Sequence, residues 1–436
     1  MEGDIRKLEV ENWKELAKEK RTWQFISLDW FVSFRDPNDI WKNHPSYLVA
    51  EVVIYICTFL TIIHALKTGG RFIFLWLAIM FHGITVETVS YNLPDIDNFW
   101  HGQSMIMFLG KRLPLHVMCL YPLFIYPASV AVGRMKLKSW AEPFAVGLCV
   151  VLIDLPIDII GIKQLWWTWH DTDPNIFDRM YWVPWTSYYF HAAFASSLTF
   201  LLRGFRYILT GDGGRNHYGG FFRELLCSIF TGLLSMAFGI LQFIPIYHPL
   251  HDIFKVPTQI CVLLLLSFFF LIVWSSDRNP VANSRETKPT GCGCKFDLLL
   301  TMIAISNVSM FTVAAIFNPA EIKAIGLHEK IGPCNETTPV ITPIGLVLSK
   351  RSFLCTSDYD EGYYDFRCVP SGKPPSDGEE WYTVCGTPYP NFVEYLVVIG
   401  GIGLFSLFVF CQLLLKSGKD KPVPKSGNPN KKVKRQ

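Results

Sequence analysis

Charge is scarce in this chain. Asp, Glu, Lys and Arg make up 18% of its 436 residues, against about a quarter in an ordinary soluble domain. The net charge of +3 is too small to point to a nucleic-acid partner. Also missing are a Gly-rich phosphate loop, a dinucleotide fingerprint after a strand, and the His-Glu-x-x-His pair of a zinc protease. The stretch "GDGGRNHYGG" (211–220) reads as a flexible cytosolic turn instead. The first 45 residues hold Lys, Glu and Trp but no short apolar core followed by small residues. A cleavable signal peptide is therefore not expected, and targeting would rest on the first spanning helix.

What the chain has in quantity is apolar sequence: half its residues are hydrophobic and 15% are aromatic. They fall into runs of about 20, the length a helix needs to cross a hydrocarbon core. The expected fold is an all-α, polytopic transmembrane bundle of about nine spans, at 48–66, 71–91, 113–133, 140–162, 183–203, 222–247, 253–274, 297–318 and 392–415. The connections "KTGGR" (67–71) and "RMKLK" (134–138), the loops 203–223 and 275–296, and the tail from 416 are all basic. The positive-inside rule places them, with the C-terminus, in the cytosol. Nine spans then put the N-terminus outside. The expected organisation is an N-terminal interfacial segment (1–47, with 22–34 as an interfacial helix), eight helices (48–318), an insert (319–391), a last helix (392–415) and a basic tail (416–436). The chain is thus an integral multi-pass protein of the endoplasmic reticulum, secretory route or plasma membrane.

The insert carries Cys334, Cys355, Cys368 and Cys385 and the sequon Asn335-Glu336-Thr337. Four cysteines outside the cytosol read as two disulfides, with three pairings open. Glycosylation at Asn335 needs the same lumenal side, which the charge rule assigns independently. Asn307-Val308-Ser309 is also a sequon but lies within a span, where it should be silent. Cys292 and Cys294 face the cytosol and read as palmitoylation sites or as two plain thiols.

Counted from the lumenal ends, polar groups concentrate in one half of the bilayer. Glu87 lies about one turn inside its span and His82 a little past two; Asp158 and Asp154 lie about one and two turns inside theirs. His191 is about two turns deep, with Glu51, His116 and Gln242 nearer the ends. Asp154 and Asp158 are four apart and share a helix face, with Pro156 between them as an expected kink. A carboxylate inside a membrane is costly and marks a functional site by default. The following stretch, "WWTWHDTDPNIFDRMYWVPW" (166–185), and the loop "NLPDIDNFWHGQ" (92–103) set further acids and imidazoles over the same layer. A lone intramembrane His is more simply a packing residue, which accounts for His64 and His116. The tryptophans suit an interface belt. The candidate catalytic groups are Asp154, Asp158 and Glu87. His82, His191, Tyr91, Trp167, Trp169 and His170 are the candidate binding groups. Carboxylate plus imidazole would suit a divalent metal, but no tight ligand motif assigns one, so the cofactor stays unknown.

Residues 80–195 resemble the bacterial carotenoid biosynthesis membrane proteins, which include carotenoid hydratases. The matching features are Glu87, "LGKRLP" (109–114), the aspartates of "DLPID", "WTW" (167–169) and Pro184 at the head of the next helix. The resemblance departs where Ile159, not Pro, follows the second aspartate. It implies acid groups around a long apolar substrate, adding water across a double bond. The chain also looks like an animal membrane family with no assigned activity. Two classes of function follow. One is a lipid- or isoprenoid-modifying enzyme using carboxylate acid/base chemistry, with membrane lipid or a hydrophobic small molecule as partner. The other is a proton- or cation-coupled transporter, lipid carrier or receptor-like protein, in which the same acids bind a cation.

Overall fold

The computed structural model describes residues 28–416, apart from 94, 95, 97, 136, 171, 173, 212–217, 278–296, 343, 359 and 360. Most of the N-terminal segment, Asp95, Asp97, Asp171, Asp173, the Cys292/Cys294 pair and the basic tail from 417 therefore lie outside the described residues.

Nine long helices are described: α1 (Pro45–Thr68), α2 (Arg71–Asn92), α3 (Leu115–Arg134), α4 (Glu142–Lys163), α5 (Trp185–Thr210), α6 (Phe221–Tyr247), α7 (Thr258–Asp277), α8 (Leu298–Ile316) and α9 (Phe392–Cys411). Eight are long and apolar enough to span a membrane; α5 alone is not among them. Its Thr186, Ser196, Ser197 and Arg206 lower its hydropathy, and all four are buried against neighbouring helices. The outer helices instead expose Leu263, Leu264, Phe268, Phe270, Val397, Leu404 and Phe405. That inversion, apolar outside and polar side chains inside, fits a bundle whose solvent is lipid.

Burial identifies the centre. Within their most apolar windows α4 is 83% buried and α3 78%, against 28% for α7 and 22% for α9. Pro122, Pro127 and Pro156 all lie inside these central helices, which continue through them. Gly147 lets α4 and α5 approach: a Cβ there would sit 2.5 Å from the carbonyl oxygen of Ala192. α6 does not stop at Tyr247 as expected but continues as a π-helical turn, His248–Ile253, before α7 begins at Thr258. The interfacial helix expected over 22–34 is described only from Leu28. There it is one helical turn (Leu28–Phe31) followed by a strand, β1 (Val32–Phe34). β1 pairs with β3 (Ile106–Phe108), which pairs with β4 (Leu113–Pro114).

Among the described residues the strands lie at one end of the bundle. β2 (Phe99–His101) pairs with β5 (Trp167–Trp169), joining the α2–α3 and α4–α5 connections into one cap; the hairpin β6 (Arg179–Met180) and β7 (Val183–Pro184) leads into α5. The insert adds β8 (Lys323–Leu327), β9 (Thr337–Ile341), β10 (Val347–Arg351), β11 (Tyr364–Asp365) and β12 (Trp381–Gly386), as a β9–β10 hairpin and a β11-β12-β8 sheet. Of the three open pairings, the disulfides are Cys334–Cys355 and Cys368–Cys385. The first closes the base of the β9–β10 hairpin. Asn335 is exposed in the turn beside it.

The opposite end is held by ion pairs at helix ends. Glu224 at the start of α6 bridges Arg71 (2.6 Å) and Arg206 (3.0 Å), Arg203 pairs with Glu142 (2.8 Å), and Arg134 pairs with Asp297 (2.9 Å).

Candidate functional site

Asp154 and Asp158 come from successive turns of α4, and both are buried. Ser187, at the head of α5, donates its hydroxyl to Asp158 Oδ2 at 2.9 Å. One turn on, His191 presents Nε2 to both acids, 3.5 Å from Asp154 Oδ2 and 3.9 Å from Asp158 Oδ2. Asp154 Oδ2 is enclosed yet has no hydrogen-bond partner. A second acid group stands across the same space. Glu87 on α2 accepts a hydrogen bond from the Tyr121 hydroxyl (2.7 Å) and lies 3.8 Å from His101 Nε2. His82, one turn and a half earlier on α2, is held through Nδ1 to Ser235 Oγ at 2.8 Å, leaving Nε2 unpartnered.

These groups border one cavity of about 510 Å³ between α2, α3, α4, α5 and α6. Its walls are mostly apolar, supplied by residues such as Leu120, Phe124, Phe190, Phe194, Met236 and Phe243. Trp167 and Trp169 of the cap also line it. Gly161 on α4 makes room for the Trp167 ring, since a Cβ there would meet it at 2.3 Å. The insert closes the rim: Val340 and Ile341 of β9 and Thr342 just after it border the same space.

Asp154, Asp158, Glu87, His82, His191, Trp167 and Trp169 are thus brought together. Tyr91 and His170 are not. Tyr91 lies outside the large cavity, its ring 5.4 Å from the Arg112 guanidinium. His170 is sealed beneath the insert, with Nδ1 3.0 Å from Glu361 Oε2 and 3.2 Å from the Tyr364 hydroxyl. The polar layer expected from depth counting also divides. Glu51 serves the backbone, accepting from Tyr55 OH (2.7 Å) and the Met105 N–H (3.1 Å), with His116 4.0 Å away. Gln242 donates to Ser197 Oγ at 2.6 Å, and His64 Nδ1 meets the Tyr126 hydroxyl at 2.9 Å. Asp178 caps α7 by accepting from the Thr258 N–H at 2.9 Å.

Tyr121, Ser187 and His248 are among the lining residues that the sequence did not single out. His248 stands on the π-helical turn, its Nδ1 2.6 Å from Asp252 Oδ2, while His251 Nδ1 takes the other oxygen at 2.8 Å. An Asp so placed fixes the imidazole's orientation and tautomer. The signal was present in the i,i+4 spacing of His248 and Asp252.

The insert is docked on the cap by buried polar contacts. Tyr363 OH donates to the Trp169 carbonyl (2.7 Å), and Lys163 Nζ donates to Thr387 Oγ1 (3.0 Å). His328 Nδ1 lies 3.4 Å from Thr168 Oγ1. Burial, with His170 and Arg112 nearby, pushes His328 well below its ordinary range. Burial works to raise the Glu361 carboxyl, but His170, Arg179 and Tyr364 outweigh it and hold the group low. Both groups bind protons more readily unfolded than folded. Docking stability is therefore complete above about pH 6.5 and falls below it, by up to about 1.4 kcal/mol per pH unit for the His328 proton. Glu361 adds a loss of the same sign in more acidic solution. Limited proteolysis of the insert between pH 7.5 and 5.5 should show rising cleavage, flattened by His328→Gln. Equal cleavage across that range would refute it.

Fold and site define an integral, multi-pass helical membrane protein with an acid–imidazole centre inside an apolar cavity. The chain belongs to the family described as Domain of unknown function (DUF7802), which matches residues 8–415. No curated protein and no solved structure matches it. The family match carries no activity, and nothing in it bears on the likeness of residues 80–195 to carotenoid biosynthesis proteins.

Proposed function

We propose that this protein is an intramembrane enzyme that moves protons to and from a lipid or isoprenoid substrate. The observation that supports this is the single cavity joining two acid groups, Asp154/Asp158/His191 and Glu87/Tyr121/His101, within apolar walls. Long hydrocarbon suits the walls, while the acids sit where a functional group of the substrate would lie. General acid–base catalysis requires a carboxyl that gives a proton and another group that takes one, both within reach of the substrate. For an alkene the step balances simply. One carboxyl protonates one alkene carbon, water adds its oxygen to the other, and the water's spare proton passes to the second acid group. The result is H–C–C–OH from C=C and H₂O. The resemblance to carotenoid hydratases supports this choice of reaction, and the His248–Asp252 pair is placed to pass protons out.

In this reading the insert end, with its disulfides and the Asn335 glycan, faces the lumen of the secretory route. The basic ends face the cytosol, where they meet anionic lipid. The test is to purify the protein from membranes, identify the lipid it carries by mass spectrometry, and follow conversion of that lipid. Glu87→Gln should slow conversion by about 10²-fold or more while leaving the bound lipid detectable. Full conversion by Glu87→Gln, or proton-driven uptake in vesicles with no chemical change, would overturn the enzyme reading in favour of transport.

A further inference from the structure

We infer that Asp154, Asp158 and His191 hold a divalent transition-metal ion of the zinc type, with an open position facing the lipid cavity. The inference takes from the reading above only that the cavity admits a lipid-sized molecule. One ligand atom from each residue lies within 4.8 Å of the other two. The individual separations are informative. Hydrogen-bonded nitrogen and oxygen stand about 2.9 Å apart, whereas His191 Nε2 is 3.5 Å from Asp154 Oδ2 and 3.9 Å from Asp158 Oδ2. Ligands each about 2.1 Å from one tetrahedral ion would be about 3.4 Å apart. His191 therefore stands from both carboxylates at the spacing of a co-ligand rather than of a hydrogen-bond partner.

A second observation is independent of that spacing. Asp154 is 1% exposed, and its Oδ2 is enclosed without a hydrogen-bond partner. An enclosed carboxylate oxygen left so is costly, and a cation between it and His191 would satisfy it. The surroundings suit a catalytic ion rather than a structural one. Three protein ligands leave a fourth position, and all three residues border the cavity. The Ser187 hydroxyl at 2.9 Å steadies Asp158 as outer-sphere groups steady ligating carboxylates. Mixed carboxylate and imidazole ligation favours Zn²⁺, Mn²⁺ or Fe²⁺ over the all-oxygen preference of Ca²⁺ and Mg²⁺. The open position would take water or the oxygenated end of a lipid, leaving Glu87 and His248 as the groups free for proton transfer.

The experiment uses full-length protein in detergent, stripped with chelator and then dialysed against Zn²⁺, with bound metal counted by mass spectrometry. About one Zn²⁺ per chain is expected. Asp154→Asn, Asp158→Asn and His191→Gln should each weaken binding at least about a hundredfold, and Ser187→Ala about tenfold. Visible bands of four- or five-coordinate Co²⁺ in the wild type, absent in His191→Gln, would place the ion at the imidazole. Glu87→Gln should bind Zn²⁺ normally even though it slows turnover, which separates the ion from the acid/base reading. Unchanged Zn²⁺ binding in folded Asp154→Asn and His191→Gln protein overturns the inference. So does no binding by the wild type. Lipid conversion by chelated, metal-free protein also overturns the ion's role while sparing the enzyme reading. Bound Zn²⁺ in a protein that converts no lipid does the reverse.

Discussion

Asp154→Asn is expected to cut lipid conversion by at least about a hundredfold, the low end of what acid/base groups contribute, without lowering the thermal midpoint of the chelated protein. Both effects trace to the same atom. Asp154 Oδ2 belongs to a residue that borders the cavity, lies 3.5 Å from His191 Nε2, and accepts no hydrogen bond. A buried carboxylate oxygen without a donor is costly, so exchanging the charge for a neutral amide of the same shape strands no donor of the fold. Structural carboxylates behave otherwise: Glu51 accepts from both Tyr55 and the Met105 backbone, and its removal would strand those donors. Asp158→Asn is expected to be as damaging to activity but to cost some stability, because it disturbs the hydrogen bond from Ser187. Conversion by Asp154→Asn at the wild-type rate would sink the site assignment, as would a collapse of its thermal midpoint alongside activity.

Much of this arrangement was legible in the sequence, because lipid imposes simple rules. Runs of about 20 apolar residues must be helices, and loop charge sorts the ends. Acids at i,i+4 must share a face, which is why Asp154 and Asp158 could be paired in advance. Depth counting was coarser. It placed Glu87, His82 and His191 at the right level, but it could not say which way each helix was turned. Glu51 and Gln242, at similar depths, therefore looked equivalent to the cavity group and are not. His170 was misleading for a different reason. Its neighbours Trp167 and Trp169 do line the cavity, but strand alternation and an insert arriving some 190 residues later in the chain bury it against Glu361 instead. The π-helical turn carrying His248 was not expected, because its His248, Pro249, His251 and Asp252 break the apolar pattern of α6 and read as a loop. Disulfide pairing needed the hairpin, because spacing alone leaves three choices.

Glu224→Ala is expected to have the largest effect on folding of any single change, abolishing recovery of folded protein rather than its chemistry. Glu224 is fully enclosed and is the shared acceptor for two guanidinium groups, with Arg71 Nε at 2.6 Å and Arg206 Nε at 3.0 Å. It also accepts from the Gly219 N–H at 3.1 Å at the start of its own helix. Arg206 extends the network by donating to the Arg71 carbonyl at 3.0 Å, so α2, α5 and α6 meet at one point. Removing the common anion leaves two buried cations facing each other. Breaking a buried ion pair by deleting one partner costs about 3–5 kcal/mol, a large part of the 5–15 kcal/mol that holds a typical domain together. Glu224→Gln keeps the shape but not the charge and should fall between the two. If restoring electroneutrality is what matters, Arg206→Gln in the Glu224→Gln background should recover part of the loss. Monodisperse protein on size-exclusion chromatography is the readout. Wild-type yields from Glu224→Ala would show that the bundle does not depend on this cluster. The contrast with Asp154 is physical: both Glu224 oxygens accept from donors of the fold, whereas Asp154 Oδ2 accepts from none.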